Sequence, residues 1–338
     1  MDIVLNRKST AIPPSLGVIV PCYNEEAVLP ETSSRLKALI ASMRAENLIS
    51  DSSAIFFVDD GSRDRTWELI SGLTADSSYV CGIKMSRNRG HQNALFCGLM
   101  TAPGDILISV DADLQDDLDV IPEMVRKYIS GADVVYGVRR ERYSDTWFKK
   151  FSAEGYYKVL AILGVDVVFN HADYRLLSRR AVTSLSEYSE VNFFLRGLVP
   201  LIGYPSAIVE YDRAERFSGV TKYPLRKMLS FAWQGITSFS IKPLRIITVI
   251  GLLVSAASLS MAIWGLSISV FTDRALPGWA STVVPLYFLG GVQLLSLGII
   301  GEYIGKIFIE TKRRPRFHVE ETRGAAIFAH DKRDNANI

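Results

Sequence analysis

Apolar and polar positions divide the chain into a front part with short alternating patterns and a back part with two long apolar runs. In the front part, apolar runs of strand length alternate with segments of helical periodicity. This alternation predicts an α/β domain, Rossmann-like, whose mostly parallel sheet is covered on both faces. The predicted strands are Leu16–Val20, Ile55–Val58, Gly82–Met85, Ile106–Val110 and Val134–Tyr136, and the predicted helices are Glu26–Ala45, Asp64–Leu73, Gln92–Met100 and Leu118–Tyr128.

The two long runs, 246–272 and 275–301, contain no charged residue. A helix that crosses a bilayer needs roughly 20 apolar residues, so we predict two transmembrane helices; a pair of buried core helices is the alternative. Lysines and arginines cluster before the first run and after the second, whereas the loop between them carries only Asp273 and Arg274. The positive-inside rule therefore predicts a multi-pass protein of the inner (cytoplasmic) membrane, with the front domain and both termini in the cytoplasm.

A third pattern joins the two parts. Within 224–240, apolar residues recur at helical spacing after Pro224, with Arg226 and Lys227 close by. This predicts an amphipathic helix in the plane of the membrane interface, the alternative being a helix packed on the front domain. The predicted organisation is an N-terminal tail over 1–14, a front domain over 15–221, an interfacial segment over 222–243, two membrane helices over 244–310 and a cytoplasmic tail over 311–338.

Composition excludes some functions. The 338 residues carry a net charge near +2, so no polybasic field points to nucleic acid as a partner. The three cysteines, Cys22, Cys81 and Cys97, form no Cys-x-x-Cys pair. We therefore expect reduced core residues rather than a thiol nucleophile or a metal site.

Polar motifs follow four of the predicted strands. Because ligands bind at the carboxyl ends of parallel strands, we expect these motifs to converge on one site. Alternating carboxylates supply hard oxygen ligands that suit Mg²⁺ or Mn²⁺ bridging a diphosphate. In chain order the motifs are Pro21-Cys22-Tyr23-Asn24-Glu25-Glu26, Asp59-Asp60-Gly61-Ser62, Ser86-Arg87-Asn88-Arg89-Gly90 and Asp111-Ala112-Asp113-Leu114-Gln115-Asp116.

Other nucleotide and metal motifs are missing from the sequence. An EF-hand is excluded because Asp116 stands where that loop requires glycine. The chain contains no Walker P-loop, and no Gly-x-Gly-x-x-Gly follows the first strand. These observations disfavour an ATPase and a dehydrogenase.

In this order, Pro21-x-x-Asn24-Glu25, Asp59-Asp60-Gly61-Ser62 and Asp111-Ala112-Asp113-Leu114-Gln115 resemble family 2 glycosyltransferases, which have the GT-A fold. The chain is similar to their polyisoprenyl-phosphate branch, which includes dolichol-phosphate mannose synthase and the bactoprenol glucosyltransferases of lipopolysaccharide O-antigen modification. Asp173-Tyr174-Arg175-Leu176 resembles the acceptor-side motif of that branch. Arg216-x-x-Gly219-x-Thr221-Lys222-Tyr223-Pro224 resembles its segment leading into the membrane.

The resemblance implies a role for each matched residue. The implied catalytic residues are Asp111 and Asp173, with Asp173 either a base or a carboxylate that orients the sugar or the cationic cluster. His91, at a helix start near the nucleotide, is expected to have no proton-transfer duty. The implied nucleotide-sugar site is Pro21, Tyr23, Asn24, Glu25, Asp59, Ser62, Asn88, Asp111, Ala112 and Asp113; the implied Mg²⁺ or Mn²⁺ ligands are Asp111, Asp113 and Gln115; and the implied acceptor-phosphate site is Arg139, Arg216, Lys222 and Tyr223.

The activity implied by the resemblance is that of an inverting, metal-dependent hexosyltransferase. It would move a sugar, glucose from UDP-glucose in the bactoprenol branch, onto undecaprenyl phosphate at the cytoplasmic membrane face. The branch also implies a homo-oligomer, specifically a tetramer.

Two other functions stay open. A processive polysaccharide synthase would carry a Gln-x-x-Arg-Trp motif, and none of the glutamines here begins one: Gln92, Gln115, Gln234 and Gln293. A non-catalytic membrane scaffold that binds a nucleotide sugar would have no need of the full Asp-Ala-Asp-Leu-Gln stretch.

Overall fold

The computed structural model describes residues 12–140, 171–188, 190, 195–212, 242–271 and 279–324. The chain divides into two compact units. The first contains a sheet with the helices that cover it, and the second contains two long helices. The predicted amphipathic helix over 224–240 lies outside the described residues, and so do Arg216, Lys222 and Tyr223.

The first unit is built on one eight-stranded sheet with the spatial order β7-β5-β6-β4-β1-β2-β3-β8. Strands β4, β1, β2 and β3 are parallel neighbours, and β5 pairs in parallel with β7. The antiparallel members are β6, between β4 and β5, and β8, at the edge beside β3. The strands are β1 (Leu16–Cys22), β2 (Ala54–Asp59), β3 (Val80–Met85), β4 (Ile106–Ser109), β5 (Val134–Arg139), β6 (His171–Ser178), β7 (Ser206–Tyr211) and β8 (Val319–Arg323).

Helices connect the strands and cover the sheet. Every residue of β1 and of β2 is buried, the pattern of strands covered on both faces. Helix α3 lies very close to β1: a Cβ atom on Gly98 would stand 2.3 Å from the Ile19 side chain. The prediction of a mostly parallel α/β sheet is confirmed. The helices are α1 (Leu29–Ala45), α2 (Thr66–Asp76), α3 (His91–Thr101), α4 (Ile121–Ile129), α5 (Arg179–Ser186) and α6 (Leu195–Leu201), with a 3₁₀ turn at Leu118–Val120.

Three strands go beyond the sequence prediction. Asp173 and its neighbours, expected only as a motif, lie inside β6, and β7 lies at the outer edge beside β5. Within the predicted cytoplasmic tail over 311–338, Val319–Arg323 forms β8 and pairs with β3. No strand was predicted there because a short polar strand, with four of its five residues exposed, has no apolar pattern to reveal it.

The second unit contains α7 (Lys242–Phe271) and α8 (Trp279–Thr311), which coincide broadly with the two apolar runs. Among the described residues, one stretch is long and apolar enough to cross a membrane, the 24-residue Phe288–Thr311, with a mean hydropathy of 1.5. A shorter apolar stretch, Leu244–Val254, lies in α7. The structure thus supports one candidate span where the sequence predicts two.

Candidate active site

The loops after β1 and β2 interlock at the carboxyl edge of the sheet. The Asn24 backbone N–H donates to Ser62 Oγ at 3.0 Å, and the Arg63 N–H donates to Asn24 Oδ1 at 2.9 Å. The Glu25 N–H donates to Thr66 Oγ1 at 2.9 Å. Asn24 adopts a left-handed conformation, φ 56°, which asparagine tolerates better than most residues. The two predicted nucleotide-binding motifs therefore form one braced surface.

Asp59, the last residue of β2, has one carboxylate oxygen in a hydrogen bond and one without. Oδ1 accepts from the Ser62 N–H at 3.1 Å, whereas Oδ2 is buried and lacks a hydrogen-bond partner among the described residues. Burial raises the pKa of the carboxyl, although the Ser62 bonds lower it. Buried acceptors without partners are uncommon in folded proteins. Asp59 Oδ2 is therefore suited to accept a hydrogen bond from a bound nucleotide base or ribose.

Asp60 positions the loop that follows β3. Its two oxygens accept from the Arg89 N–H at 2.7 Å and the Gly90 N–H at 2.8 Å. Beside it, Gly61 adopts φ 67°, and a Cβ there would stand 2.7 Å from the backbone nitrogen of Asn88. Asp60 has no predicted role of its own, although its place beside Asp59 at a strand end is a signal in the sequence. Asn88 itself lies exposed on the loop.

The acidic turn after β4 is held by contacts from a neighbouring helix and within itself. The Thr32 hydroxyl of α1 donates to the Ala112 carbonyl at 2.7 Å. The Gln115 N–H donates to Asp113 Oδ1 at 3.2 Å. Between them, the buried Leu114 adopts φ 57°. A leucine in this conformation costs on the order of 1–3 kcal/mol, and such strain is typical of functional turns.

Asp111 lies where this turn meets other charged groups. Asp111 Oδ1 stands 3.6 Å from Nε2 of His91, which is the first residue of α3. The Asp111 side chain is 37% exposed. Desolvation, together with the charges of Asp116, Asp173 and Asp113, raises the pKa of the Asp111 carboxyl to about 6, while His91 opposes the shift. Asp111 therefore resists ionisation chiefly because it is desolvated, and the neighbouring negative charges add to the effect.

The acidic turn suits a divalent cation whose coordination would be completed by oxygen atoms of the substrate. Within the described ranges, no group of three or more His, Cys, Asp or Glu side chains forms a self-sufficient metal site. Asp111, Asp113 and Gln115 offer two carboxylates and an amide, all hard oxygen donors that suit Mg²⁺ or Mn²⁺. A cation here would offset the repulsion that raises the pKa of Asp111. The remaining ligands would come from a bound diphosphate.

Asp173 faces this turn from β6. Because β6 is antiparallel to β4, with Arg175 opposite Ser109, its early residues stand beside the carboxyl end of β4. The Ser109 hydroxyl donates to the Asp173 carbonyl and fixes the strand there. Asp173 Oδ2 lies 3.8 Å from His91 Nε2, so one imidazole stands between Asp173 and Asp111.

The Asp173 carboxylate is saturated with donors. Oδ1 accepts from Arg175 Nη2 at 2.6 Å and from Arg196 Nε at 3.2 Å. Oδ2 accepts from Gln92 Nε2 at 2.9 Å and from Arg196 Nη2 at 3.1 Å. Burial favours the neutral form, but Arg175 and Arg196 outweigh it and hold the pKa of Asp173 well below its usual range. Asp173 is therefore a fixed anion that takes up a proton only under strongly acidic conditions.

Gln92 and the two arginines tie Asp173 to the start of α6. The buried Arg175 donates through Nη1 to the Leu195 carbonyl at 3.1 Å. Gln92 Oε1 accepts from the Leu195 N–H at 3.3 Å. Sequence reasoning missed Gln92 and Arg196 because they lie far from Asp173 along the chain. Arg175, inside the Asp-Tyr-Arg-Leu motif, carried the only local signal.

Arg139, predicted to bind an acceptor phosphate, stands at the end of β5 in a second polar network. Its Nε donates to Tyr211 Oη at 3.1 Å and its Nη2 to Asp116 Oδ1 at 3.3 Å. The Tyr211 hydroxyl also donates to Asp116 Oδ1. The other oxygen of Asp116 is buried without a hydrogen-bond partner in the described part of the chain. The network thus connects the acidic turn to the guanidinium that was predicted to bind phosphate.

Two protein-family models match the chain. The model described as "Glycosyl transferase family 2" matches residues 17–185, and the model described as "GtrB C-terminal hairpin" matches residues 242–307. The first covers the strands and turns that form the candidate site. The second covers the region of the two long helices.

Three curated proteins are similar over nearly their whole length. An uncharacterized glycosyltransferase, YkoT, from Bacillus subtilis (strain 168) is 49% identical, with 91% of each chain covered. A prophage bactoprenol glucosyl transferase homolog from Escherichia coli (strain K12) is 37% identical, covering 91% of this chain and 99% of that one. The SfII prophage-derived bactoprenol glucosyl transferase from Shigella flexneri is 36% identical, with 91% and 98% covered.

Proposed function

Since this chain belongs to glycosyl transferase family 2 and is a hexosyltransferase, we propose that it transfers glucose from UDP-glucose to undecaprenyl phosphate at the cytoplasmic membrane face. The resemblance drawn from the motifs is confirmed at the level of the family. The bactoprenol glucosyl transferases among the relatives support the finer assignment, because they match over 98–99% of their length.

One observation supports transfer between two substrates most directly. The acidic turn, expected on the donor side, and Asp173, expected on the acceptor side, lie on either side of His91, at 3.6 and 3.8 Å from its Nε2. A binding scaffold requires only the donor half of such a site. The juxtaposition of both halves suits an enzyme that brings a nucleotide sugar and a phosphate together.

The proposed step is a single inverting displacement. An oxygen of the acceptor phosphate forms a bond to the anomeric carbon, the bond from that carbon to the UDP oxygen breaks, and its electron pair leaves with UDP. Phosphate monoesters have a second pKa of roughly 6, so the acceptor is largely dianionic at neutral pH and needs no strong base. Positioning and charge stabilisation then supply most of the catalysis.

Each residue of the site has a proposed part in this step. Asp59 and the braced loops hold the base and ribose. Asp111, Asp113 and Gln115 would hold a divalent cation, which would supply charge neutralisation of the leaving group when bound. Asp173, held by its arginines, orients the sugar and does not act as a base. We assign the acceptor phosphate to Arg139 with Arg216, Lys222 and Tyr223. We further propose that α7 and α8 both cross the membrane and that the protein forms a homo-oligomer.

The donor assignment is tested with purified protein in lipid nanodiscs. UDP-glucose, UDP-galactose, UDP-N-acetylglucosamine and GDP-mannose, each labelled in the sugar, are supplied with undecaprenyl phosphate and Mg²⁺ or Mn²⁺. We expect UDP-glucose to give the fastest formation of a chloroform-soluble product. A faster reaction with another donor would show that glucose is not the sugar transferred. A polymeric product would show that the protein is a processive synthase instead.

The acceptor assignment is tested by Arg216→Ala. This variant is expected to raise the KM for undecaprenyl phosphate by about tenfold, with little change in the KM for UDP-glucose, since the loss of one charged contact at the phosphate costs on the order of 1–3 kcal/mol. The matched control is Arg63→Ala, which removes an arginine from the loops after β1 and β2, on the side of the site proposed for the sugar donor. An unchanged acceptor KM would remove Arg216 from the acceptor site.

A further inference from the structure

After α8 ends at Thr311, the chain returns to the first unit through residues 315–323, which we call the return segment. Strand β8 pairs with the edge of β3, and Lys84 Nζ lies 3.2 Å from Glu320 Oε1. The His318 carbonyl accepts from the Ser86 N–H at 3.0 Å. Ser86 begins the loop whose far end is held by Asp60. The return segment thus supports one wall of the candidate site.

Arg316, in this segment, contacts two further parts of the site. Its guanidinium carbon stacks 4.6 Å from the centre of the Phe96 ring, and Phe317 packs edge-on against the same ring at 6.1 Å. Phe96 belongs to α3, the helix that presents His91 and Gln92 to Asp173. Arg316 is therefore fixed against the helix that carries two of the site's side chains.

The same guanidinium binds the backbone that follows α5. Nε donates to the Glu190 carbonyl at 2.9 Å, and Nη2 donates to the Tyr188 carbonyl. A planar guanidinium can donate to two carbonyls and stack on a ring at once, which a lysine ammonium cannot do. Arg316 thereby bridges α3 and the backbone after α5, which stands five residues before Leu195 in the sequence.

We infer that Arg316 is a positioning residue for the transfer reaction, acting by fixing the distance between α3 and the start of α6. Two contacts depend on that distance. Gln92 Oε1 accepts from the Leu195 N–H, and Arg196 donates twice to Asp173. Without Arg316, α6 shifts relative to α3, and Asp173 loses its alignment beside His91. This inference rests on the proposed function for its kinetic consequence, but its structural consequence is independent of any substrate.

The structural arm uses hydrogen exchange on the full-length protein in nanodiscs without substrate. Arg316→Ala is compared with Arg314→Ala, which removes the same charge from an exposed position nearby. We expect about tenfold faster exchange in peptides spanning 195–201 for Arg316→Ala, because lost tertiary contacts lower the local opening free energy. Equal exchange in the two variants would overturn the inference, whatever the protein's substrate is.

The kinetic arm separates positioning from folding. For Arg316→Ala we expect kcat to fall about tenfold, with the KM for UDP-glucose within about twofold and the thermal midpoint within about 3 °C of wild type. The kcat of Arg316→Lys should lie between those of wild type and Arg316→Ala, because lysine keeps the charge but not the planar guanidinium. If the alanine variant does not fold, Arg316→Lys is used for the same comparison. Wild-type kcat in Arg316→Ala, or activity lost only in proportion to folded protein, would overturn the inference. A wild-type enzyme that transfers no sugar would instead refute the proposed function.

Discussion

Replacing Asp173 with asparagine distinguishes an orienting carboxylate from a catalytic base. The carboxylate accepts four hydrogen bonds, two on each oxygen, from Arg175, Arg196 and Gln92. Asparagine keeps one acceptor oxygen and places an NH₂ group where the other stood, so two of these donors lose their acceptor. Arg175 is only 2% exposed and would retain a buried charge without its partner.

The size of the effect follows from burial. Breaking a buried ion pair from one side costs about 3–5 kcal/mol, and Arg196, at 41% exposure, contributes less than Arg175. A loss near the lower end, about 3 kcal/mol, corresponds to a fall in thermal midpoint of about 6–12 °C for a domain of this size. The assay is thermal unfolding followed by intrinsic fluorescence, at pH 7 and at fixed lipid and protein concentration.

The pH dependence of kcat decides the chemical role. The pKa of Asp173 is depressed, so its ion pairs are fully present above the unfolded carboxyl pKa of about 3.9 and are lost only as the pH falls through the lower folded value. Asp173 therefore contributes no titration between pH 5 and 8. An acid limb near pH 6 is expected from the acceptor phosphate, whose second pKa is roughly 6.

Asp173→Asn should accordingly lower kcat at every pH while leaving that limb in place. If the variant instead lost the limb, and its residual rate rose in proportion to hydroxide, Asp173 would be a general base and the orienting role would be refuted. Arg126→Ala, which removes an exposed arginine of α4 that pairs with Glu46, is the control for nonspecific loss of stability.

Three further changes test separate parts of the account. Gly61→Ala should raise the KM for UDP-glucose and destabilise the protein by about 1–3 kcal/mol, because φ 67° and the Asn88 backbone exclude a Cβ; Gly72→Ala, in open space on α2, should stabilise it by about 0.5–1 kcal/mol. Asp113→Asn should abolish divalent-dependent transfer, measured by titration with Mn²⁺, while membrane insertion is intact; full activity would exclude the metal assignment. At pH 8, the native protein should leave all its cysteines unlabelled by a thiol reagent, since each is buried and burial raises the pKa of Cys81 to about 12; rapid labelling would contradict the described core.

The central strands were predictable because their burial leaves a signature in the sequence. Strands covered on both faces read as continuous apolar runs, and β1 and β2 do so over their whole length. Strand β8 has no such signature, and the two long helices separate it in sequence from its partner β3. Pairing of this kind depends on the edge that β3 offers in three dimensions, which local periodicity does not record.

The candidate site was predictable to the extent that topology brings strand ends together. Asp59 ends β2 and Asp111 follows β4, and both strands pair in parallel with β1, so the two aspartates lie at the same edge of the sheet. Asp173 was identified by a motif, but its environment depends on Gln92 and Arg196, which approach from helices distant in the chain. Arg316 comes from farther still and carries no recognisable pattern. Side chains that act through tertiary contacts leave little trace in a single sequence.

The measurement that tests the central claim most directly is a product balance in one vessel. Nanodisc-embedded protein is given UDP-glucose labelled in both the sugar and the uridine, together with undecaprenyl phosphate and Mn²⁺. We predict that chloroform-soluble glucose and aqueous UDP form in a one-to-one ratio, and that both stop when the metal is chelated. Release of UDP with free glucose in the aqueous phase, at the same rate with and without the lipid phosphate, would contradict the claim that this site joins a sugar donor to a lipid acceptor.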